Sequence, residues 1–391
     1  MLLFELLQVA IGNRDVLSQT PTIAEWGELY ALAKKQAMVG ITYRGIEQLS
    51  EEQRPPKAIL IQWYLATERI KAMNADLDGK ALEVADNFLK DGFRSLVLKG
   101  QGISKLYVLR DHENGNNSDW AHCSQPIAHS SISEYRTPGD IDIWIEGSRK
   151  KILGYVSQHV RTCNPTYHHV DYPISHDVEI EVHFTPSWMN SSCTNRRLQK
   201  FFEENNQWPI ADCQQSVASY SKIPTPSIVF NRVYILVHIY RHLFNEGIGL
   251  RQLLDYYFVL LQGFTEEERK ETMRTLCSLK MKRFTGATMW VLQEVFGMDN
   301  RYLLTTPDEH EGRFLLNEIM LAGNFGKYDE RLQRERRGSA MLWAIYKVKR
   351  NFRFVRNYPS EVLWSPVFKL WHYFWRAYYR RWADRSVSCN V

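Results

Sequence analysis

A chain of 391 residues that is 44% apolar and 24% charged has ordinary globular composition, which excludes a disordered, collagen-like or fibrous protein. No stretch reaches the roughly eighteen uninterrupted apolar residues that a membrane-crossing helix needs, because the best windows, near Ile235 and Leu260, are broken by His, Arg and Asp. The net charge of +5 is uneven: residues 341–391 hold ten Lys and Arg against two acids, so only the tail is basic.

The amino terminus, MLLFELLQVAIGNRD, has no basic residues before its apolar stretch and no small-residue cleavage site after it. It reads as a short helix and not a signal peptide, which implies a cytoplasmic chain. Thr22 with Glu25, and Ser50 with Gln53, have capping-box spacing, and Ile23, Trp26, Tyr30 and Ala33 recur at helical intervals. Pro55 and Pro56 interrupt this region, and a long helix is expected from about Ala58 to Phe93, weakest at Gly79.

The pattern then changes to short β-branched and aromatic runs: RSLVLKG at 94–100, GDIDIWIEG at 139–147 and DVEIEVHF at 177–184. These are predicted strands. Between the first two lies a polar insertion at about 108–135 with no period, expected to be a surface loop. Ser148 is placed to cap a helix, RKKILGYVSQHV, that leads to a hairpin of HHVDY and DVEIEVHF. From about Pro224 the helical period returns and persists to the end. Three regions follow: helical 1–90, an α/β core at 91–222, and helical 223–391 with a basic aromatic tail. Six cysteines without a CxxC pair give no zinc or disulfide framework and read as free thiols. In the tail, Ser365 and Pro366 read as cap and first position of a helix whose Phe368, Trp371, Trp375, Tyr378 and Trp382 form one stripe. Lys369, Arg376, Arg380 and Arg381 fall between them. Such a stripe is usually core; an anionic lipid or nucleic-acid polymer is the alternative partner.

Alternate strand residues share a face, so Asp140 and Asp142 point together, and Glu179, Glu181 and His183 do the same on a later strand. Two carboxylates about 4 Å apart repel by roughly 4 kcal/mol at an effective dielectric near 20. A divalent cation removes that cost, and an oxygen-only set favours magnesium. Solvated faces of amphipathic strands are the plainer reading of a lone DxD. Upstream, LVLKGQGISKLY puts Lys99, Gly100 and Gly102 at a strand-to-helix junction suited to a phosphate, although glycine also serves merely to make the turn. His238 and His242 are spaced i, i+4 but lack the Glu of HExxH and read as structural, while Arg251 and Asp255 have the spacing of an intrahelical ion pair.

The succession LKG, RTPGDIDIWI and VEIEVHF, with the Trp26 helix and HIYRHLFNEGIGLRQLLDYYFVL, resembles the uncharacterised bacterial nucleotidyltransferase family of the polymerase-β-like superfamily, over roughly residues 20–265. The resemblance implies an α+β fold in which a small mixed-sheet nucleotidyltransferase core is flanked by N-terminal and C-terminal helical regions. It implies metal ligation and catalysis by Asp140, Asp142 and Glu181, with Glu179 a weaker candidate. Lys99, Gly100 and Gly102 would hold the nucleotide phosphates, and Arg136 and His183 would contact phosphate or support the acids. The implied reaction moves a nucleoside monophosphate from an NTP such as ATP to an unidentified hydroxyl acceptor (small molecule, sugar, protein or RNA) and releases pyrophosphate, with two Mg2+ or alternatively Mn2+. KGQG replaces the superfamily's Gly-Gly or Gly-Ser, and about forty residues separate it from the acids. A metal-dependent glycosyltransferase using a nucleotide sugar, and an inactive nucleotide-binding module, are the rival readings.

Overall fold

The computed structural model describes residues 1–109, 131–160, 164–173, 178–208, 223–329 and 350–388, and for 381–388 the helical backbone alone. Most of the predicted polar insertion lies outside these residues, as do Cys123, Cys163, Cys213 and Cys389. Cys193 and Cys277 are free and exposed.

Four helices open the chain: α1 (Leu2–Ala10), α2 (Ile23–Lys35), α3 (Val39–Gln48) and α4 (Lys57–Lys90). The Thr22 hydroxyl accepts from the Glu25 amide while the Glu25 carboxylate accepts from the Thr22 amide, so the first capping box forms as predicted. The second does not. Ser50 precedes a single 3-10 turn at Glu51–Gln53, since Pro55 and Pro56 follow too closely for a helix to grow, and Gln53 bonds the Leu17 backbone instead. Helix α4 runs through Gly79 without a break, and nothing approaches within 4 Å of where a Cβ would stand there.

The sheet has four strands: β1 (Ser95–Val97), β2 (Ile141–Ile145), β3 (His169–Asp171) and β4 (Ile180–His183), in the order β1-β2-β4-β3. It is mixed: β2 runs parallel to β4, and β1 and β3 pair antiparallel with their neighbours. The short α5 (Gln101–Ser104) follows β1, and α6 (Arg149–His159), capped by the Ser148 hydroxyl, makes the connection from β2. One face of the sheet presents Ile141, Ile143, Ile180 and Val182 to Leu77, Val84 and Phe88 of α4 and to Ile152 and Val156 of α6. Burying each such side chain contributes about 1.5–3 kcal/mol, which fixes the register.

Further helices are α7 (Ser192–Asn205), α8 (Ile228–Asn245), α9 (Leu250–Leu260), α10 (Glu266–Ser278), α11 (Lys282–Phe296), α12 (Glu309–Ala322) and α13 (Pro359–Ser388). Leu96, Leu98 and Trp144 join α8, α9 and α11 in a second, larger core that also takes in Leu3, Leu7 and Trp26. The Asn13 side chain seals the contact by donating to the Phe296 carbonyl at 2.6 Å. The result is an α+β fold with helical flanks, as expected.

The tail differs from the expectation. Its helix starts at Pro359, so Ser365 and Pro366 lie inside it and are neither cap nor first position. Proline suits the first turn, where its missing N–H has no partner anyway, and Pro359 occupies that place. Of the predicted stripe, Phe368 and Trp375 are half-buried while Trp371 and Tyr378 are exposed. The Trp382 side chain lies outside the description.

Candidate active site

Strand parity places Asp142 on β2 opposite Glu181 on β4, and Trp144 opposite His183. Their side chains converge over the sheet. His183 Nε2 is 2.8 Å from Asp142 Oδ1 and 3.3 Å from Glu181 Oε2, and His169 Nδ1 on β3 is 2.8 Å from the same Glu181 oxygen. Ligand atoms of Asp142, Glu181 and His183 lie within 4.8 Å of one another, a spacing that a single metal ion can span. Asp140 is linked through Lys99, whose Nζ donates to both its carboxylate oxygens at 3.0 and 3.1 Å and stands 2.8 Å from Asp142 Oδ2.

The electrostatics follow from this geometry. Burial works against ionisation of Asp140, but the Lys99 ammonium outweighs it and holds the carboxyl below its usual range. Burial likewise opposes the charge on Glu181, and hydrogen bonds from His169 and His183 overcome it, so the group stays ionised well below the ordinary value. Glu179 is different. It is exposed, and partial desolvation with the nearby Asp140 pushes its carboxyl up.

These residues floor a cleft of about 1010 Å³. Lys99, Arg241, Arg251, Lys327 and Arg350 line it, with Trp188, His238 and Phe325. Acids at the floor and cations on the walls fit a ligand carrying phosphates and a divalent ion.

The predicted site residues separate into three groups. Asp140, Asp142, Glu181, His183 and Lys99 come together in the cleft. Gly100 and Gly102 border it from beneath: both are buried and neither lines it. Gly100 takes φ +55°, a conformation that favours glycine, and a Cβ on Gly102 would stand 2.1 Å from the Val97 carbonyl oxygen. They shape the turn that presents Lys99. Arg136, expected to contact phosphate or support the acids, is not among the residues lining the cleft. Its side chain is buried and committed to Asp255 by two bonds of 2.7 and 2.8 Å, so its fork is not turned to a phosphate. The expected Arg251–Asp255 pair is replaced for the same reason: Asp255 takes Arg136 and the Tyr107 hydroxyl, and Arg251 donates to the Thr137 and Pro138 carbonyls.

Sequence reasoning missed His169, His168, Trp188 and Arg241. The hairpin register was a usable signal for the first, because His169 pairs with His183 and Asp171 with Glu181 across it. His168 packs against Trp188 with ring centroids 4.1 Å apart and the rings tilted by 36°.

A family model described as an uncharacterised nucleotidyltransferase matches residues 22–110 and 132–297. The chain belongs to that family. Membership makes it an enzyme of nucleotidyl transfer, and the matched region contains both acid-bearing strands and the LKG turn. Comparison with curated proteins and with solved structures gives no match. Among the described residues, no helix is long and apolar enough to cross a membrane.

Proposed function

We propose that the chain transfers a nucleoside monophosphate from an NTP to an acceptor hydroxyl in the cleft, with magnesium held by Asp140, Asp142 and Glu181. The supporting observation is the convergence of Asp142, Glu181 and His183 within 4.8 Å, with Asp140 joined to them by Lys99. The donor set fits a divalent ion: carboxylate oxygens suit magnesium, and the imidazole of His183 beside them accommodates manganese. Bound there, the ion would neutralise the acids and draw charge from the reacting phosphoryl oxygens.

The chain's own residues supply the rest. Glu181 is held ionised by its two histidines and is the group placed to take the acceptor's proton. Lys99 has its ammonium at the carboxylates, next to where the triphosphate charge would enter, and Arg251 provides positive charge on the wall, whereas Arg241 is paired with the buried Glu361 carboxylate at 2.6 Å. The acceptor oxygen attacks the α-phosphorus, the bond to the β-phosphate oxygen breaks, and pyrophosphate leaves.

The test incubates purified protein with each labelled NTP, magnesium or manganese and a cell extract, beside Asp142→Asn. Label transfer with pyrophosphate release, reduced about a hundredfold or more in the variant, is the expected result. Equal signal from both proteins ends the assignment, and label arriving only from a nucleotide sugar replaces it with glycosyl transfer.

A further inference from the structure

Three imidazoles gather beside the acids of the cleft, one more than those acids use. His169 Nδ1 and His183 Nε2 stand 2.8 and 3.3 Å from Glu181 Oε2. His168 is the third. Among the described residues its ring nitrogen meets Thr166 Oγ1 at 3.3 Å and neither acid. Its ring centroid lies 4.2 Å from that of His169 and 5.2 Å from that of His183, and one nitrogen from each of the three rings lies within 4.8 Å of the other two.

The backbone is bent to bring them together. Adjacent residues of a strand point to opposite faces, which would separate His168 from His169. Strand β3 begins only at His169, and just before it the His168 carbonyl accepts from two amides, Phe184 at 2.7 Å and Thr185 at 3.4 Å. Two residues against one is the pattern of a β-bulge, which re-aims a side chain. All three rings line the cleft.

The proton inventory of His183 calls for a cation. Its side chain is 4% exposed, its Nε2 is 2.8 Å from Asp142 Oδ1, and its Nδ1 is buried with no hydrogen-bond partner among the described residues. With the proton on Nε2, the Nδ1 lone pair has no donor; with the proton on Nδ1, the Nε2 lone pair faces two carboxylate oxygens. A metal ion on the open nitrogen resolves either case. His168 offers the matching arrangement, Thr166 on Nδ1 and Nε2 left over, as in histidines that bind metal through one nitrogen and are oriented through the other.

The geometry points to a transition-metal site on His168, His169 and His183, with Glu181 beside it, of the kind that takes Zn2+. Imidazole suits zinc where magnesium takes oxygen, and three histidines with one further position is a zinc arrangement. The site needs no nucleotide and goes beyond the transfer proposed above, with Glu181 and His183 bordering both.

The test strips the full chain with EDTA, equilibrates it with equimolar zinc in excess magnesium, and counts the zinc retained by plasma mass spectrometry. The wild type should hold about one zinc per chain, and so should Asp140→Asn, which keeps all three histidines. His168→Asn combined with His169→Asn should bind zinc about a hundredfold more weakly, since losing even an outer partner of a ligand costs about 10–100-fold. X-ray absorption at the zinc edge of the wild type identifies the donors whether or not that variant folds, and should show imidazole nitrogens. A wild type without zinc overturns the proposal. So does zinc held by cysteine sulfur or by oxygen alone, or zinc retained undiminished in the double variant. None of these measurements uses a nucleotide, so failure of the site and failure of the transfer reading are told apart.

Discussion

Lys99 places one ammonium between two carboxylates that would otherwise face each other across strand β2 and the preceding loop. Replacing it with methionine leaves Asp140 and Asp142 to repel, by roughly 4 kcal/mol at 4 Å and an effective dielectric near 20. Lys99→Met should therefore melt well below the wild type in EDTA, and magnesium should raise its melting temperature more than it raises that of the wild type. Differential scanning fluorimetry with and without the metal reads both effects; an equal magnesium shift in the two proteins refutes the account. The two glutamates of β4 and its approach should also behave differently. Glu181→Gln removes a carboxylate kept ionised between His169 and His183 and should lower transfer by about a hundredfold or more, whereas Glu179→Gln alters an exposed group and should change it by less than about threefold. Measuring label transfer for both variants checks the contrast.

At the scale of elements, the cleft depends on pairs that no local pattern announces. Asp255 on α9 receives the Arg136 fork and the Tyr107 hydroxyl, joining α9 to the loop before β2 and to the residues after α5. Asn74 of α4 holds the same loop through the Arg136 carbonyl at 2.7 Å. Asp255→Asn leaves a buried guanidinium without its counter-charge and should cost about 3–5 kcal/mol of stability by denaturant unfolding, while an exposed pair such as Arg313–Glu309 should cost under about 1 kcal/mol when broken. The contrast explains what the sequence revealed. Strand parity needs only neighbours along the chain, so Asp140, Asp142, Glu181 and His183 could be grouped by alternation, and the Thr22 and Ser148 caps by a three-residue spacing. That Arg136 holds Asp255, and does not contact phosphate or support the site's acids, is not legible locally because this partner lies 119 residues away on a helix. Pro366 likewise has the local pattern of a helix start, but Pro359, seven residues earlier, occupies that place.

The whole molecule encloses its cleft between the sheet and the helices after it, and that enclosure sets a pH dependence. His168, beside β3, and His238, on α8, both line the cleft, and burial lowers both well below their ordinary value of 6.5, followed in effect by neighbouring histidines. The folded chain thus keeps them neutral while the unfolded chain protonates them as pH falls through about 6.5. Unfolding then takes up protons, so stability rises with pH below that value and levels off above it. Each histidine contributes at most about 1.4 kcal/mol per pH unit within that window. The wild type in EDTA should melt at clearly lower temperature at about pH 5 than at about pH 7.5, and a His168→Asn, His238→Asn variant should show a flatter acid limb. The comparison is of slopes, so a uniform loss of stability from the substitutions does not imitate it. An acid limb as steep in the variant as in the wild type would move the pH dependence to other groups and leave these two histidines without a part in it.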